Sequence, residues 1–470
     1  ALHRARLPAS LIQGPPGTGK TTIAVSVVKW MCFQRLGPPL VAAPSNTAAD
    51  HLAIRIGEEL PHLNVIRLYR KSQTVDPSIP EQLTIRFHVR RVREAHQRDL
   101  ERLQKAIETA EKRRRNTHKT NPKILLDIAT LQKKLKDAQE RVTKNARFVS
   151  FEDLRRRHGA LYNQHEAEFR TLLRRAENEA LDAADVIVIT NSVAADRRIV
   201  SRAPFAQVLQ DEATQATEPE SLMALTLGCR RFVLIGDQCQ LGPVVKSAAL
   251  RARGFGTSLF ERLLASGDVP ITFLRVQHRM HPAIATFPSN QFYDGRLTSA
   301  PGLTELRKLG QSSSLPWASS EVPLIVLDIQ GPESTGAQGS YHNDSEAQAV
   351  VGVLKALQRD GVAPEDVVII TPYRGQCTHI RSLTITSFPG ARVSSVDSIQ
   401  GQESDFIIFS TVRSNSRRVA GFVPNPRRLN VALTRARRGL VVICNVATLE
   451  GHGDFGEYFR HVRSLNAIRS

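Results

Sequence analysis

A glycine-rich loop near the start of the chain has the residue types and spacing of a phosphate-binding site. The segment Gly14–Thr21 reads GPPGTGKT, fits the pattern G-x-x-x-x-G-K-[ST], and lies between the apolar run Ser10–Gln13 and a helical pattern. Its glycines allow backbone N–H groups to point towards phosphates at a helix N-terminus, where the helix dipole also favours negative charge. We expect Lys20 to reach the β- and γ-phosphates of a nucleoside triphosphate and the Thr21 hydroxyl to hold Mg²⁺. The predicted nucleotide contacts in this loop are Gly14, Pro15, Pro16, Gly17, Thr18, Gly19, Lys20, Thr21 and Thr22.

Two adjacent carboxylates, Asp211 and Glu212, follow the apolar run Gln207–Gln210. Carboxylates at the end of a strand, downstream of a phosphate-binding loop, suit metal binding and the activation of water. Asp211 is expected to hold Mg²⁺ through water, and Glu212 is expected to polarise the attacking water. Such a pair taken alone is more often a solvated surface feature, so the phosphate-binding loop is what favours the catalytic interpretation.

Three further polar residues could contribute to phosphoryl transfer. Gln240 lies in GDQCQL after an apolar run, where a glutamine can sense the γ-phosphate through hydrogen bonds that are lost after hydrolysis. Phosphoryl transfer also builds up negative charge that a guanidinium from a second domain can neutralise. The candidates are Arg279 in QHRMHP and Arg435 in LNVALTRAR, although most of the 64 lysines and arginines must be ordinary surface residues.

Short apolar runs bounded by Gly, Asp and Pro must position these residues. Alternation of such runs with helical patterns predicts parallel sheets covered by helices, an α/β fold with two domains in tandem. We place the first domain at residues 1–266 and the second at residues 267–470. The runs are Ser10–Gln13, Leu40–Ala43, Val186–Ile189, Gln207–Leu209, Phe232–Ile235, Leu324–Leu327, Val367–Ile370, Phe406–Ser410 and Leu440–Ile443.

Residues 84–181 are rich in charged residues with a helical pattern and are predicted to form a helical, coiled-coil-like insertion in the first domain. Apolar residues at alternating spacings of four and three form a seam, and an earlier helix could pair with it in antiparallel fashion across a basic turn at Arg113–Pro122. A basic arm that contacts nucleic acid or a partner and a solvated helical spacer are equally good interpretations of this insertion. The seam residues are Ile124, Ile128, Leu131, Leu135, Ala138 and Val142.

The composition favours a polyanionic partner. Lys and Arg exceed Asp and Glu by 64 to 45, which gives a formal charge of +19 and promotes association with nucleic acid through counterion release. The five cysteines form no C-x-x-C pair, so we expect reduced thiols in a cytoplasmic protein that can also shuttle to the nucleus. No apolar stretch approaches the ~18 residues of a membrane span.

Seven segments, in order along the chain, resemble the up-frameshift helicases, the regulator-of-nonsense-transcripts branch of superfamily one. They are GPPGTGKT, DEATQATEPE, GDQCQLGPVV, QHRMHP, TPYRGQ, VDSIQGQESDF and PRRLNVALTRAR. The resemblance implies two RecA-like P-loop domains, hydrolysis of Mg–ATP in the cleft between them, and 5′-to-3′ movement on RNA or single-stranded DNA. It also implies a role in nonsense-mediated mRNA decay.

The resemblance also assigns residues. It places Lys20, Thr21, Asp211, Glu212, Gln240, Arg279, Glu403 and Arg435 in the ATP site, with Glu403 coupling the nucleotide to the ribose side. His278 stands where the family has a tyrosine that stacks on adenine, so we expect weaker stacking. The residues implied along the nucleic-acid track are Pro44, Ser45, Asn46, Thr190, Asn191, Thr371, Pro372, Tyr373, Val396, Asp397 and Ser398. Hydroxyls, backbone groups and one aromatic ring suit a single strand.

Partners and alternatives follow from the same resemblance. Single-stranded RNA is the expected partner, with single-stranded DNA as a second substrate, and we expect a monomer. Because the chain begins at Ala1 rather than at Met, we expect a further segment upstream, and decay factors are expected to bind regions outside this sequence, such as a cysteine–histidine-rich zinc domain. An ATP-switched RNA clamp and a DNA-repair helicase of a related branch remain open as alternatives, because both would use the same ATP site.

Overall fold

The computed structural model describes residues 8–70, 75–115, 127–139, 174–309, 313–336 and 339–470. The chain divides into two compact units. The larger unit contains the chain up to Ala24, together with Gln210–Leu222 and Phe232–Ser470, and the smaller unit contains Val25–Leu209 and Met223–Arg231. No helix of the described residues is both long and apolar enough to cross a membrane.

Short, buried strands alternate with helices along the chain. The strands are β1 (Ala9–Gln13), β2 (Leu40–Ala43), β3 (Val65–Arg67), β4 (Val186–Thr190), β5 (Gln207–Gln210), β6 (Arg231–Gly236), β7 (Ile271–Phe273), β8 (Val276–Gln277), β9 (Thr298–Ser299), β10 (Leu324–Asp328), β11 (Ser334–Thr335), β12 (Tyr341–His342), β13 (Val367–Thr371), β14 (Arg392–Ser395), β15 (Ser404–Ser410), β16 (Ala436–Cys444) and β17 (Ile468–Arg469). The helices are α1 (Lys20–Phe33), α2 (Asn46–Glu59), α3 (Ile85–Arg115), α4 (Arg197–Val200), α5 (Glu218–Leu225), α6 (Ala248–Ala252), α7 (Leu259–Ser266), α8 (Pro282–Tyr293), α9 (Leu303–Leu306), α10 (Asp344–Arg359), α11 (Arg374–Thr384), α12 (Pro426–Leu433), α13 (Val446–Leu449) and α14 (Gly453–Ser464). Each of the apolar runs identified in the sequence lies in a strand.

The smaller unit contains strands in the order β3-β4-β2-β5. Every residue of β2 and β4 is buried, as expected for strands that are covered on both faces. Helix α2 packs through Ala49, Leu52, Ala53 and Ile56, whose spacing places them on one face. Ser45 caps this helix by accepting a hydrogen bond from the Ala48 N–H at 3.2 Å.

The larger unit contains two groups of parallel strands. In the first, β1 lies between β6 and β7, with Leu11 opposite Leu234 on one side and Ile271 on the other. The second is a six-stranded sheet in the order β14-β13-β15-β16-β10-β17.

Both faces of the six-stranded sheet are covered by helices. Successive residues of β13 point to opposite sides, so Val368 and Ile370 pack with residues of α8, α12 and α14, whereas Ile369 packs with residues of α10 and α11. A parallel sheet covered in this way is the arrangement that the predicted α/β fold requires. The carboxyl ends of β13 and β14 carry residues of the predicted nucleic-acid track, whereas Glu403 and Arg435 directly precede β15 and β16.

The described parts of the predicted insertion are helical. Residues 127–139 form a helix in which Ile128 and Ala138 are buried and Leu131 and Leu135 are half-buried, while the intervening side chains are exposed. Residues 174–182 are also helical. Helix α3 continues to Arg115, past the start of the predicted turn at Arg113. Ile124, Val142 and most of the turn lie outside the described residues, so the coiled-coil pairing stays a prediction.

A buried carboxyl group fastens α10 to the end of β15. Glu346 is 0% exposed and accepts hydrogen bonds from the Ser410 hydroxyl at 2.7 Å and from the Val412 N–H at 2.8 Å. Burial raises the pKa of Glu346 to about 7, although these hydrogen bonds oppose the shift. Val412 has a φ of +75°, which is unusual for a β-branched residue, and the bond to Glu346 helps to hold it there.

We expect the substitution Glu346→Gln to remove the decrease in the free energy of unfolding that the Glu346 carboxyl causes as the pH rises. The folded-state pKa of about 7 lies above the usual 4.5, so the stabilisation is complete below pH 4.5 and is lost as the pH rises through 7. Relative to the variant, the parent's free energy of unfolding should fall by on the order of 2 kcal/mol between about pH 5 and pH 8. Urea unfolding at each pH measures this, and a pH-independent difference between the two proteins would contradict it.

Candidate functional site

The glycine-rich loop joins the carboxyl end of β1 to the N-terminus of α1. The Gly14 N–H donates to the Gly236 carbonyl at 2.9 Å, which fixes the start of the loop at the end of the neighbouring strand. The Lys20 ammonium donates back to the Gly14 carbonyl at 2.9 Å, and the Thr18 hydroxyl donates to the Pro15 carbonyl at 2.8 Å. The loop is therefore closed upon itself, with a lysine at the helix N-terminus where anions bind.

Glycine is required at position 17 for two independent reasons. Its φ of +74° lies in the left-handed region, and a Cβ atom there would lie 2.6 Å from the Cβ of Arg279. The Gly17 carbonyl also accepts a hydrogen bond from the His278 N–H at 2.8 Å. The loop thus packs directly against the backbone that carries His278 and Arg279.

Asp211 and Glu212 follow β5 and lie in different environments. Asp211 is 6% exposed, and burial together with the charge of Glu212 raises its pKa to about 7, against the opposing effect of Lys20. Glu212 has a φ of +49° and its Oε2 accepts a hydrogen bond from Gln215 at 3.0 Å. This left-handed backbone turns Glu212 away from the strand direction, and its side chain lines the cleft described below.

A second buried carboxylate, Asp237, organises the loop after β6. Its Oδ2 accepts hydrogen bonds from Gln240 Nε2 at 2.5 Å and from the Tyr293 hydroxyl at 2.7 Å. Asn430 on α12 donates to that same hydroxyl oxygen at 2.8 Å and to the Cys239 carbonyl at 2.8 Å. Burial raises the pKa of Asp237, while the charge of Lys20 and these hydrogen bonds oppose the rise. The sequence analysis assigned a role to Gln240 but none to Asp237, Tyr293 or Asn430.

Arg435 is buried beside Gln240. Its guanidinium is 1% exposed and donates to the Val431 carbonyl at 3.0 Å, the Thr434 hydroxyl at 3.0 Å and Gln240 Oε1 at 3.1 Å. Burial, then the charge of Arg279, lowers the pKa of Arg435 to about 9, so this side chain remains a cation at neutral pH.

Arg279 is held by an ion pair and a carbonyl. Its Nε lies 2.5 Å from Glu403 Oε2, and its Nη1 donates to the Thr434 carbonyl at 3.0 Å. Burial raises the pKa of Glu403, but the charge of Arg279, their hydrogen bond and the charges of Arg437 and Arg435 lower it below its usual value. The two arginines that the sequence singled out therefore lie close together, and Thr434 contacts both.

These elements surround one cleft of about 330 Å³ within the larger unit. Most of the residues predicted to contact ATP line it, including Glu212, Gln240 and His278, whereas Gly14 and Asp211 do not. Gly401, with a φ of +81°, also lines the cleft and was not predicted. The lining residues are Pro15, Pro16, Gly17, Thr18, Gly19, Lys20, Thr21, Thr22, Glu212, Gln240, His278, Arg279, Gly401, Glu403 and Arg435.

The donor set fits Mg²⁺ bound together with phosphate. Among the described residues no cluster of three or more His, Cys, Asp or Glu side chains could hold a metal ion by itself. Magnesium in phosphoryl-transfer sites is commonly bound by one or two carboxylates together with phosphate and water, rather than by an all-protein cage. Asp211 would provide such a carboxylate, and Thr21, at the N-terminus of α1, would provide the hydroxyl.

The predicted nucleic-acid residues of the larger unit are partly covered. Thr371 is 0%, Tyr373 4% and Val396 1% exposed, whereas Asp397 and Ser398 are exposed and Pro372 is intermediate. The Tyr373 ring packs against Phe422 with centroids 4.6 Å apart. The roles of these residues in binding nucleic acid stay a prediction. Phe422 lies outside the motifs, but its side chain is exposed to solvent.

The predicted nucleic-acid residues of the smaller unit lie at the carboxyl ends of β2 and β4. Ser45 is exposed, and Pro44 and Asn46 are intermediate, with Asn46 Oδ1 accepting a hydrogen bond from Arg67 at 3.0 Å. Thr190 and Asn191 are buried. Carboxyl ends of parallel strands are where ligands bind in α/β folds, which agrees with the prediction without testing it.

Comparison with known protein families identifies the chain. Two AAA domain family models match it, one over residues 1–248 and the other over residues 255–447. A regulator of nonsense transcripts 1 homolog of Arabidopsis thaliana is 40% identical over 450 residues, which are 94% of this chain and 32% of the relative. The ATP-dependent helicase upf1 of Schizosaccharomyces pombe is 37% identical over 97% of this chain and 45% of its own length.

The chain spans between about a third and a half of the curated relatives named here. Among solved structures, a complex of arterivirus nonstructural protein 10 (helicase) with DNA covers 96% of this chain and 64% of its own chain, with 14% identity and a TM-score of 0.44. That likeness is too low for its DNA contacts to be transferred. The chain belongs to the AAA domain family, and the resemblance to the up-frameshift helicases that its motifs predicted is confirmed.

Proposed function

We propose that this chain is the ATP-hydrolysing core of a helicase that moves 5′-to-3′ along single-stranded RNA or DNA and serves nonsense-mediated mRNA decay. The observation that carries the proposal is the cleft in which the phosphate-binding loop, Glu212 and Gln240 meet two arginines from the second half of the sequence. Such a set suits phosphoryl transfer, in which catalysis consists mainly of positioning and charge stabilisation.

The residues that would bind phosphate, metal and water have separate roles in this proposal. Lys20 and the backbone of the loop bind the phosphates of the substrate ATP, and Glu212 orients the attacking water and accepts its proton. Thr21 and Asp211 would hold Mg²⁺, which would neutralise phosphate charge. Arg435 and Arg279 neutralise the charge that develops in the transition state, and the contact of Arg435 with Gln240 links that charge to the loop after β6.

The nucleic-acid partner is supported by charge and by relatives. A formal charge of +19 favours polyanions, and the two curated relatives named above carry the names regulator of nonsense transcripts and ATP-dependent helicase. We therefore propose RNA as the main substrate and mRNA-decay factors as partners of the whole protein. We also propose that the protein is monomeric and cytoplasmic and that it shuttles to the nucleus. Its five cysteines are free thiols, which suits a reducing compartment.

The test of the proposal is ATP turnover with and without single-stranded RNA, together with strand displacement on a 5′-tailed duplex. We expect RNA to stimulate turnover and a 5′-tailed duplex, but not a 3′-tailed one, to be unwound. Stimulation without displacement would instead support an ATP-switched clamp, and stimulation by DNA alone would support a DNA-repair helicase. No turnover with any polynucleotide would contradict the proposal.

We expect Glu212→Gln to preserve nucleotide binding and to abolish turnover. The amide keeps the shape of the side chain but cannot accept the proton of water, and general-base catalysis contributes about 10²- to 10⁴-fold. Steady-state ATP turnover and binding of a fluorescent ATP analogue measure the two effects separately. Glu305→Gln changes an exposed carboxylate outside the cleft and serves as the control. Parent-like turnover in Glu212→Gln would refute the assigned role.

Arg435→Lys is expected to lower kcat much more than it changes KM for ATP. A lysine keeps the positive charge but cannot reproduce the donors to Val431, Thr434 and Gln240 at once, so the charge is misplaced in the transition state. Loss of an arginine that stabilises phosphoryl transfer costs about 10³-fold or more. ATP titrations of the parent, this variant and the exposed-site control Arg251→Lys measure the effect. A variant that differed from the parent in KM alone would rule out a transition-state role.

A further inference from the structure

The loop between β15 and α12 presents an aromatic side chain to solvent. Phe422 is 44% exposed and Val419 is 48% exposed, in a segment whose neighbours Arg417 and Arg418 are also exposed. No role in the ATP cleft was assigned to any of these residues. An exposed phenylalanine amid arginines is a combination that single-stranded nucleic acid recognises, because bases stack on the ring while the phosphates meet cations.

The ring of Phe422 is supported from behind and from the side. Its centroid lies 4.6 Å from that of the buried Tyr373, and the Arg428 guanidinium carbon lies 5.1 Å from it. Arg428 in turn donates to Asp397 at 3.2 Å. Phe422 therefore contacts Tyr373 directly and is connected to Asp397 through Arg428. The family resemblance assigns Tyr373 and Asp397 to the nucleic-acid track.

Gly421 permits this close approach. It has a φ of +61°, and a Cβ atom there would lie 2.3 Å from Arg413 Nη1 and 3.1 Å from the Tyr373 hydroxyl. Glycine adopts this left-handed backbone without strain and avoids both contacts, so that the backbone passes close to Tyr373 and the next side chain, Phe422, packs against its ring.

The loop is also held in one conformation. Asn415 accepts a hydrogen bond from the Val419 N–H at 2.9 Å and donates to the Val419 carbonyl at 3.0 Å. Asn415 also donates to Glu333, and the ring of His452 lies 2.7 Å from the Arg418 carbonyl. A preorganised aromatic surface loses little conformational entropy when a ligand binds, so its contacts contribute more fully to affinity.

We propose that Phe422 is a base-stacking platform for the single strand, with Arg428 and Tyr373 as the groups that position its ring. This inference rests on the proposed function and extends it by naming a residue that contacts a base. The motif residue Tyr373 is 4% exposed, so its ring acts through Phe422 rather than by touching the base. Stacking on a phenyl ring is tolerant of sequence, as a motor that moves along many transcripts requires.

The test is binding of a fluorescein-labelled oligouridine to the parent and to the variants Phe422→Leu and Phe422→Trp, each at several salt concentrations. Leucine keeps the apolar contact with Tyr373 but removes the aromatic face, so the affinity should fall about fivefold or more. The slope of affinity against salt should stay unchanged, because stacking releases no counterions. Tryptophan should restore or improve binding.

Phe255→Ala is the matched control, because Phe255 is 42% exposed and lies in a different loop of the same unit. This control should leave both ATP turnover and oligouridine affinity unchanged. Thermal unfolding of each variant separates a loss of contact from a loss of folding. If Phe422→Leu binds as tightly as the parent, the platform is refuted and Phe422 is left as a surface for a protein partner. If the parent itself fails to bind, the proposed function fails first.

Discussion

The Arg435 guanidinium has been almost entirely removed from water, and the surroundings must supply acceptors for it. An unpaired buried charge costs several kcal/mol, so the fold is obliged to bring polar atoms to this point. They come from the Val431 carbonyl in α12 and the Thr434 hydroxyl just after it, from the turn before β15 through the Gln402 carbonyl, and from Gln240 after β6. These segments thus converge on one cation beside the cleft, and Arg279, which is paired with Glu403, donates to the backbone carbonyl of the same Thr434.

Sequence patterns predicted the long strands and the phosphate-binding loop because both have strong local causes. Fully buried parallel strands need continuous apolar runs, and the loop needs glycines at fixed positions. The strands β3, β7 and β14 are among those that were not predicted, because β3 and β7 have only three residues each and β14 has the mostly polar sequence RVSS. Asp237, Tyr293 and Asn430 were missed for another reason: 56 residues separate the first two, 137 separate the last two, and their contact is created only by folding.

The predicted nucleic-acid surface also depends on contacts that the sequence does not reveal. Motif positions such as Thr371 and Tyr373 are recognisable in the sequence, but a motif does not reveal which of its side chains reaches solvent. Tyr373 is covered by Phe422, a residue outside the motif, because Gly421 brings the loop across it. The only local signal was the Gly-Phe pair among arginines, and without the fold that pair is indistinguishable from an ordinary surface loop.

Asp237 serves as a common acceptor for two hydrogen bonds that belong to different parts of the larger unit. One of its oxygens accepts from both Gln240 and Tyr293, and Tyr293 accepts in turn from Asn430. If Gln240 turns its amide towards another acceptor, the buried carboxylate loses one of its three donors, and Tyr293 and the Cys239 N–H remain as the other two. Because these hydrogen bonds form one chain, the strength of the bond between Tyr293 and Asn430 on α12 depends on which group Gln240 binds. This coupling requires no movement of the backbone.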